Sequence, residues 1–461
     1  MDKTRSICLH VNQIFMVSFS FPVIYFHLPD FVCLLPPSQM FRHIIKRSLG
    51  SHSAYPNHLS SLNRLVSSLT SSSVKNPPRC VGNIGDLNTG GLYDVLNKSK
   101  ILKLKCSLHN PYPQTTTNYP KEKPLENVNI CLLTAKAVPE GFADINLVRV
   151  LELCGAKVTT STFTDFAKRQ RAELKKNGTI VPEDATPVSL AADYISSHLS
   201  RSAVAQAQAK LSEQANSETK PKSKRKPQPL PEPVDLVLGI YTTPSHAQTH
   251  KVLAQRAGVP VLTLHSPDSA LLSVLGLLQA CHVVTPSMFN AKVGFVGSGN
   301  TPFVYDLSRA AQMLQFGMTV SAPRRLMPKK DVVDSILAAT HERPVTGEEL
   351  PASVFEVVEH PFIACAQADF IVTDTVVPHT TWKGKPSHPL AQGLDSYEVD
   401  KEMLSVGKDT ARLGHVTSGM HDWLAPPLGA DDARCLWSMQ LSEENYALVS
   451  LCMWALDKQF K

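Results

Sequence analysis

Residues 292–328 read KVGFVGSGNTPFVYDLSRAAQMLQFGMTVSAPRRLMP, and their reading decides the fold. Apolar Val293 to Val296 form a short buried-strand pattern, Gly297 and Gly299 interrupt it, and Phe303, Leu307, Ala310, Ala311 and Leu314 then recur at helical spacing. A second apolar run, Met318 to Ala322, follows Phe316 and Gly317. Strand, glycine turn, helix and strand make a βαβ unit, which places the turn at the carboxyl end of a parallel strand, where such sheets bind ligands.

The turn is a poor dinucleotide site. The G-x-G-x-x-G pattern has Pro302 at its third glycine, and no acid closes the second strand to hold a ribose. Arg324 and Arg325 leave an NADP-binding reading open.

The same alternation extends outward on both sides. Upstream, NICLL (129–133) reads as a buried strand, 142–153 as a helix and 157–160 as a strand. After an interruption, DLVLGIY (235–241), a helix over 245–257, VPVLTL (259–264) and a helix over 268–281 lead back to residue 292. Downstream, FIVTDT (370–375) is a further strand, and the apolar spacing of Tyr446, Leu448, Val449, Leu451, Cys452 and Leu456 predicts a terminal helix over 443–460. A helix over 92–104 precedes the first strand. The pattern predicts two doubly wound α/β domains with parallel sheets.

Length and composition fit that reading. The 461 residues suffice for two domains plus irregular segments, and 43% hydrophobic content supports real cores. Pro22, His27, Pro29 and Asp30 break the apolar region 14–35, so no membrane span is expected; a signal peptide there remains an alternative. From residue 31 to 85 there is no acid, while Arg42, Lys46, Arg47, Arg64, Lys75 and Arg79 lie among many serines. This composition predicts a mitochondrial transit segment and matrix localisation, with MFRHIIKRSL from Met40 as its amphipathic start; a plain basic tail is the other reading. Residues 1–80 carry eight basic and two acidic residues, leaving 38 of each in the remainder, so the charge advertises no nucleic-acid surface there. The ten cysteines show no C-x-x-C or zinc-finger spacing and read as reduced thiols. No metal or cofactor is expected.

The motifs in this order resemble the aspartate and ornithine carbamoyltransferase family, most nearly in the pattern of its mitochondrial ornithine-specific members. KVGFVGSGNTPFVYDL resembles the start of that family's amino-acid-binding domain, whose turn reads G-D-G-N-N; the turn acid is here Ser298, the first asparagine Asn300 and the second Thr301. FIVTDT resembles the strand ending in T-D-T-W, so the resemblance gives Asp374, followed by Thr375, the role of pairing with the substrate's α-amino group. LDSYEVDKEMLSVGKDTARLGHVTSG resembles the segment leading to H-C-L-P, with Tyr397, Val399 and His415 retained and Val416 and Ser418 in place of the cysteine and proline. The family's terminal E-N-R becomes Glu444, Asn445, Tyr446.

The phosphate side is depleted. Aligning Leu153-Cys154-Gly155 with the family's L-G-G puts Pro139, Glu140, Gly141, Phe142 and Ala143 where S-T-R-T-R holds carbamoyl phosphate, and no arginine lies between Lys136 and Arg149. A dianion needs convergent amides and fixed positive charge, whereas Glu140 repels it. Ile240 stands at a further arginine position, and H-P-x-Q becomes Ser266, Pro267, Asp268, Ser269, with His265 next door.

The resemblance implies a carbamoyl-phosphate-type domain (86–164 and 234–290), an amino-acid-type domain (291–461) whose last helix returns to the first, and a trimer with sites in the cleft between domains. Residues 1–85 form an N-terminal extension. Residues 165–233 read as an insert, a helix over 190–214 followed by a proline-rich tract whose Lys220, Lys222, Lys224, Arg225 and Lys226 are either a solvated linker or a contact for RNA or protein. The candidate cleft comprises Gly297, Gly299, Asn300, Asp374, Thr375 and His415. Each lost oxyanion or phosphate donor typically costs about 10² to 10³ in rate. The expected function is therefore a non-catalytic structural or interaction subunit of a mitochondrial assembly; a working ornithine carbamoyltransferase, making citrulline from ornithine and carbamoyl phosphate, is the alternative.

Overall fold

A computed structural model describes residues 9–11, 13–15, 78–106, 122–134, 144–216, 232–240, 249–266, 268–374, 395–416 and 432–460. The chain divides into two compact units, Met1–Pro77 and Pro78–Lys461. In the first, β1 (Leu9–Val11) pairs antiparallel with β2 (Gln13–Phe15). The expected transit helix from Met40, the PEGFA loop and the basic run 220–226 lie outside the described residues.

The second unit contains two lobes. The first runs through β3 (Cys80–Val81), α1 (Asn88–Lys105), β4 (Asn129–Thr134), α2 (Asp144–Leu153), β5 (Lys157–Thr162), α3 (Phe163–Lys176), α4 (Pro187–Tyr194), α5 (Arg201–Asn216), β6 (Leu236–Ile240), α6 (Thr249–Arg256), β7 (Val261–His265) and α7 (Leu271–Val284). The second follows with β8 (Lys292–Val296), α8 (Pro302–Leu314), β9 (Gly317–Ser321), α9 (Lys330–Leu337), β10 (Phe355–Val358), α10 (Pro361–Cys365), β11 (Phe370–Thr373), α11 (Lys401–Ser405), β12 (Arg412–His415) and α12 (Trp437–Ala455). Each lobe holds a five-stranded sheet, ordered β3-β7-β6-β4-β5 and β10-β9-β8-β11-β12, with every pairing parallel. In both, successive strands are laid first to one side of a central strand and then to the other, which is the doubly wound arrangement the sequence predicts.

Side-chain alternation along the strands explains the layers. Ile130 and Leu132 of β4 and Phe295 of β8 enter one large core, whereas Cys131, Leu133 and Val296 face the opposite sides of their sheets. That large core is continuous across both lobes, taking Leu238 from the first sheet and Val320 and Val372 from the second, with α1, α7, α8 and α12 between them. α8 starts where Thr301 accepts a hydrogen bond from Val304 N–H and Pro302 fixes the first turn, and it stops at Gln315, whose φ of 58° ends the helix. α12 returns to the first lobe as expected, beginning at Trp437 rather than 443: Tyr446 is fully buried and donates to Cys106 O at 3.3 Å, and Glu443 pairs with Lys103.

Two domain boundaries move. β3 pairs with β7, and Val81 and Ile84 are fully buried, so the core begins inside the stretch read as an extension. The stretch read as an insert from 165 is in part a layer of the first lobe: Phe166, Ala191, Ala192, Ile195 and Leu199 pack with Phe163, Cys131, Val237 and Val261. Its single expected helix is two, separated by a π turn over Ile195–Leu199 and an extended Ser200, whose bridge to Val234 draws the backbone out of the helix. Periodicity alone could not show that break, because Ala, Ser and Gln continue through it.

One carboxylate ties the lobes together. Asp306 of α8 is fully buried and accepts from Ser269 Oγ at 2.7 Å, Ala270 N at 2.9 Å, Ile84 N at 3.4 Å and Arg309 Nη1 at 2.8 Å. Burial pushes its pKa up, and Arg309, Ser269 and the Ala270 amide pull it back. Asp306→Ala strands these buried donors, so urea unfolding should show a loss on the order of 3 kcal/mol. An unchanged midpoint would contradict this role.

Candidate functional site

The carboxyl edge of the second sheet gathers the candidate residues. Its topological switch falls between β8 and β11, whose carboxyl ends run into Gly297-Ser298 and Asp374. Asp374 Oδ1 accepts from Ser298 N at 2.8 Å. Gly297 has φ 146°, and a Cβ placed on it would lie 1.9 Å from Asp374 Oδ1, so only glycine lets the carboxylate close on the turn. Asp374 keeps a half-buried, solvent-touching edge while protein encloses its carboxylate. Burial raises its pKa to about 7, against smaller opposing effects of the Ser298 amide and its own N–H. No basic side chain contributes to that balance among the described residues.

His415 sits opposite Thr373, the residue before Asp374, in the β11–β12 register and is 3% exposed. Its Nδ1 lies 2.9 Å from Val416 O, an acceptor only, so Nδ1 carries the proton. Burial lowers its pKa, which keeps the ring neutral at pH 7 and leaves Nε2 as a lone-pair acceptor without a partner among the described residues. Gln440 of α12 brackets the same residue, accepting from His415 N at 2.9 Å and donating to His415 O at 2.7 Å. Sequence reading missed Gln440; a glutamine inside an apolar helical face was the available signal.

The remaining turn residues are occupied in structure. Asn300 Oδ1 accepts from Tyr305 Oη at 2.8 Å, Tyr305 Oη accepts from Lys329 N at 2.9 Å, and Asn300 N donates to Leu326 O at 2.8 Å. Gly299 packs under Pro328. Arg324 pairs with Glu359. Thr375 lies outside the described residues.

The carboxyl edge of the first sheet holds the other set. Ile240 ends β6 opposite Thr134 and His265. Ser266 and Ser269 pair through their backbones, Ser266 N to Ser269 O at 2.9 Å and Ser269 N to Ser266 O at 3.3 Å. Both are buried; Ser266 Oγ caps Asp268 N at 3.2 Å and Ser269 Oγ is held by Asp306. Pro139, Glu140, Gly141, Phe142 and Ala143 lie outside the described residues. Among the described residues no group of three His, Cys, Asp or Glu side chains could hold a metal, and no helix is long and apolar enough to cross a membrane.

A carboxylate titrating near neutrality at the carboxyl edge of such a sheet can receive an ammonium group, and a neutral imidazole one strand away can accept a hydrogen bond.

Comparison with known proteins agrees with the topology. No protein-family model matches the chain. The ornithine carbamoyltransferase of Hyperthermus butylicus is 25% identical over 167 residues, 35% of this chain and 49% of that protein. The mitochondrial ornithine carbamoyltransferase of Schizosaccharomyces pombe is 25% identical over 185 residues, 39% and 52% respectively. The chain thus spans about half the length of these curated relatives. Among solved structures, the ornithine carbamoyltransferase of Pyrococcus furiosus superposes with a TM-score of 0.56 at 14% identity, covering 83% of this chain and 98% of that one. A mitochondrial ornithine carbamoyltransferase from Coccidioides immitis gives 0.54 at 14%, covering 82% and 98%. Neighbours in sequence and in structure are therefore ornithine carbamoyltransferases, and the fold is theirs.

The Asp374 shift has a definite pH signature. Its folded pKa, about 7, lies above the ordinary 3.8, so the stability it contributes is full below about pH 4 and is lost as pH rises through 7. Asp374→Asn removes that slope: the variant should gain stability relative to wild type between pH 4 and 8 in urea titrations. A difference independent of pH would contradict the shift.

Proposed function

We propose that this protein is a non-catalytic member of the carbamoyltransferase fold, a structural or interaction subunit of a mitochondrial assembly that keeps an amine-receiving carboxylate and has given up the carbamoyl-phosphate site. The observation that carries the reading is the commitment of Ser269. In the resemblance its position belongs to the glutamine of H-P-x-Q, which helps polarise the carbamoyl carbonyl; here its hydroxyl is buried and bonded to Asp306. Ile240 and the arginine-free interval between Lys136 and Arg149 supply no charge to replace it. Stabilisation of developing negative charge by fixed donors is usually the largest single catalytic effect, so a cleft without them lacks the means of transfer.

Asp374 supplies the retained half. A cation docking there is stabilised as the carboxylate ionises, so binding of an amino acid or a partner's lysine should release part of a proton near pH 7. Assembly through the fold, as a homotrimer or within a larger mitochondrial complex, and contacts of Lys220 to Lys226 with RNA or protein belong to the same proposal. Matrix localisation rests on the acid-free basic stretch before residue 86; a reporter carrying residues 40–80 that stays in the cytosol would contradict it.

The full chain should form no citrulline from ornithine and carbamoyl phosphate above background. A turnover within about 100-fold of an ordinary enzyme's roughly 10 s⁻¹ would favour the alternative, an ornithine carbamoyltransferase with divergent motifs.

A further inference from the structure

The outer helical layer of the first lobe contains a cavity of about 600 Å³. Its walls come from the second half of α3, the turn after it, α4 and the last residues of α6. α6 runs away from the carboxyl end of β6, so its final residues lie toward the opposite edge of the sheet from Ile240. The cavity is therefore separate from the switch-point cleft, and its volume falls in the range that holds small organic molecules.

Its chemistry is specific. Gln170 lines it, is 8% exposed, and its Oε1 has no hydrogen-bond partner among the described residues. A buried acceptor left unpaired costs about 1–3 kcal/mol, which a donor from a ligand would recover. Asp184 and Asp193 both line the cavity, and its one basic residue, Arg256, already pairs with Asp193 at 3.1 Å, leaving an excess negative charge. Leu174 and Ile180 add aliphatic surface, and Ile180 stands 88% exposed until something covers it.

We infer that this cavity binds a small organic ammonium carried on a short aliphatic stem, the N–H donors reaching Gln170 Oε1, the charge facing Asp184 and Asp193, and the stem covering Leu174 and Ile180. The inference stands apart from the proposed loss of carbamoyl transfer and from any amine bound at Asp374.

The test titrates the full chain with pentylammonium, pentan-1-ol and pentanoate by ligand-observed NMR and calorimetry. Pentylammonium should bind, and pentanoate should not. Gln170→Leu should weaken pentylammonium by about tenfold, and Asp184→Asn, an exposed change that leaves folding intact, by several-fold. Asp374→Asn, which removes the proposed amine site at the other cleft, should leave the Gln170-dependent part of the binding unchanged. Equal binding of all three probes, no binding at about 10 mM, or full affinity in both Gln170→Leu and Asp184→Asn would overturn the inference. Loss of all pentylammonium binding in Asp374→Asn would also overturn it, by placing the ammonium in the other cleft alone.

Discussion

The buried carboxylate of Asp306 is the interaction on which the two-lobed arrangement depends. A charge at full burial is tolerated only where donors converge on it, and here they arrive from Ile84, from the Ser269-Ala270 corner and from Arg309 on its own helix. The first two belong to one lobe and the carboxylate to the other. Together with the core shared by α1, α7, α8 and α12, this joins the two lobes. The same bond that joins the lobes occupies the Ser269 hydroxyl, which stands at the position the resemblance gives to a glutamine, and the proposed loss of carbamoyl transfer rests on that occupation.

Asp374 is the physical opposite. Asp306 meets a guanidinium, a hydroxyl and two amides, whereas Asp374 has the Ser298 amide and its own N–H. A carboxylate short of partners at a sheet switch point is poorly explained as a structural cap alone, because a cap of this kind gains most when ionised, and burial holds this one near neutrality. The proposed cation would supply the partner this carboxylate lacks.

Much of this was legible in the sequence, for identifiable reasons. The stretch 292–328 announces strand, turn, helix and strand because Val293, Phe295 and the apolar residues of α8 recur at the periods their elements impose. β3, β10 and β12 are two to four residues long, too short for a periodic signal, and are defined by pairing with distant strands. Asp306 reads as an ordinary polar residue on an amphipathic helix, and its partners other than Arg309 are 36 to 222 positions away. Gln170 was invisible for the same reason: its meaning lies in burial and in which of its atoms find partners. The resemblance located Asp374 and His415, but only the fold shows that His415 pairs with Thr373, the residue before Asp374.

The central claim is that the chain retains the fold and has lost the phosphate site, and equilibrium binding of carbamoyl phosphate to the full chain by calorimetry tests it most directly. The account predicts no saturable binding up to about 10 mM, with or without ornithine present. A dissociation constant at or below about 100 μM, strengthened by ornithine, would contradict it.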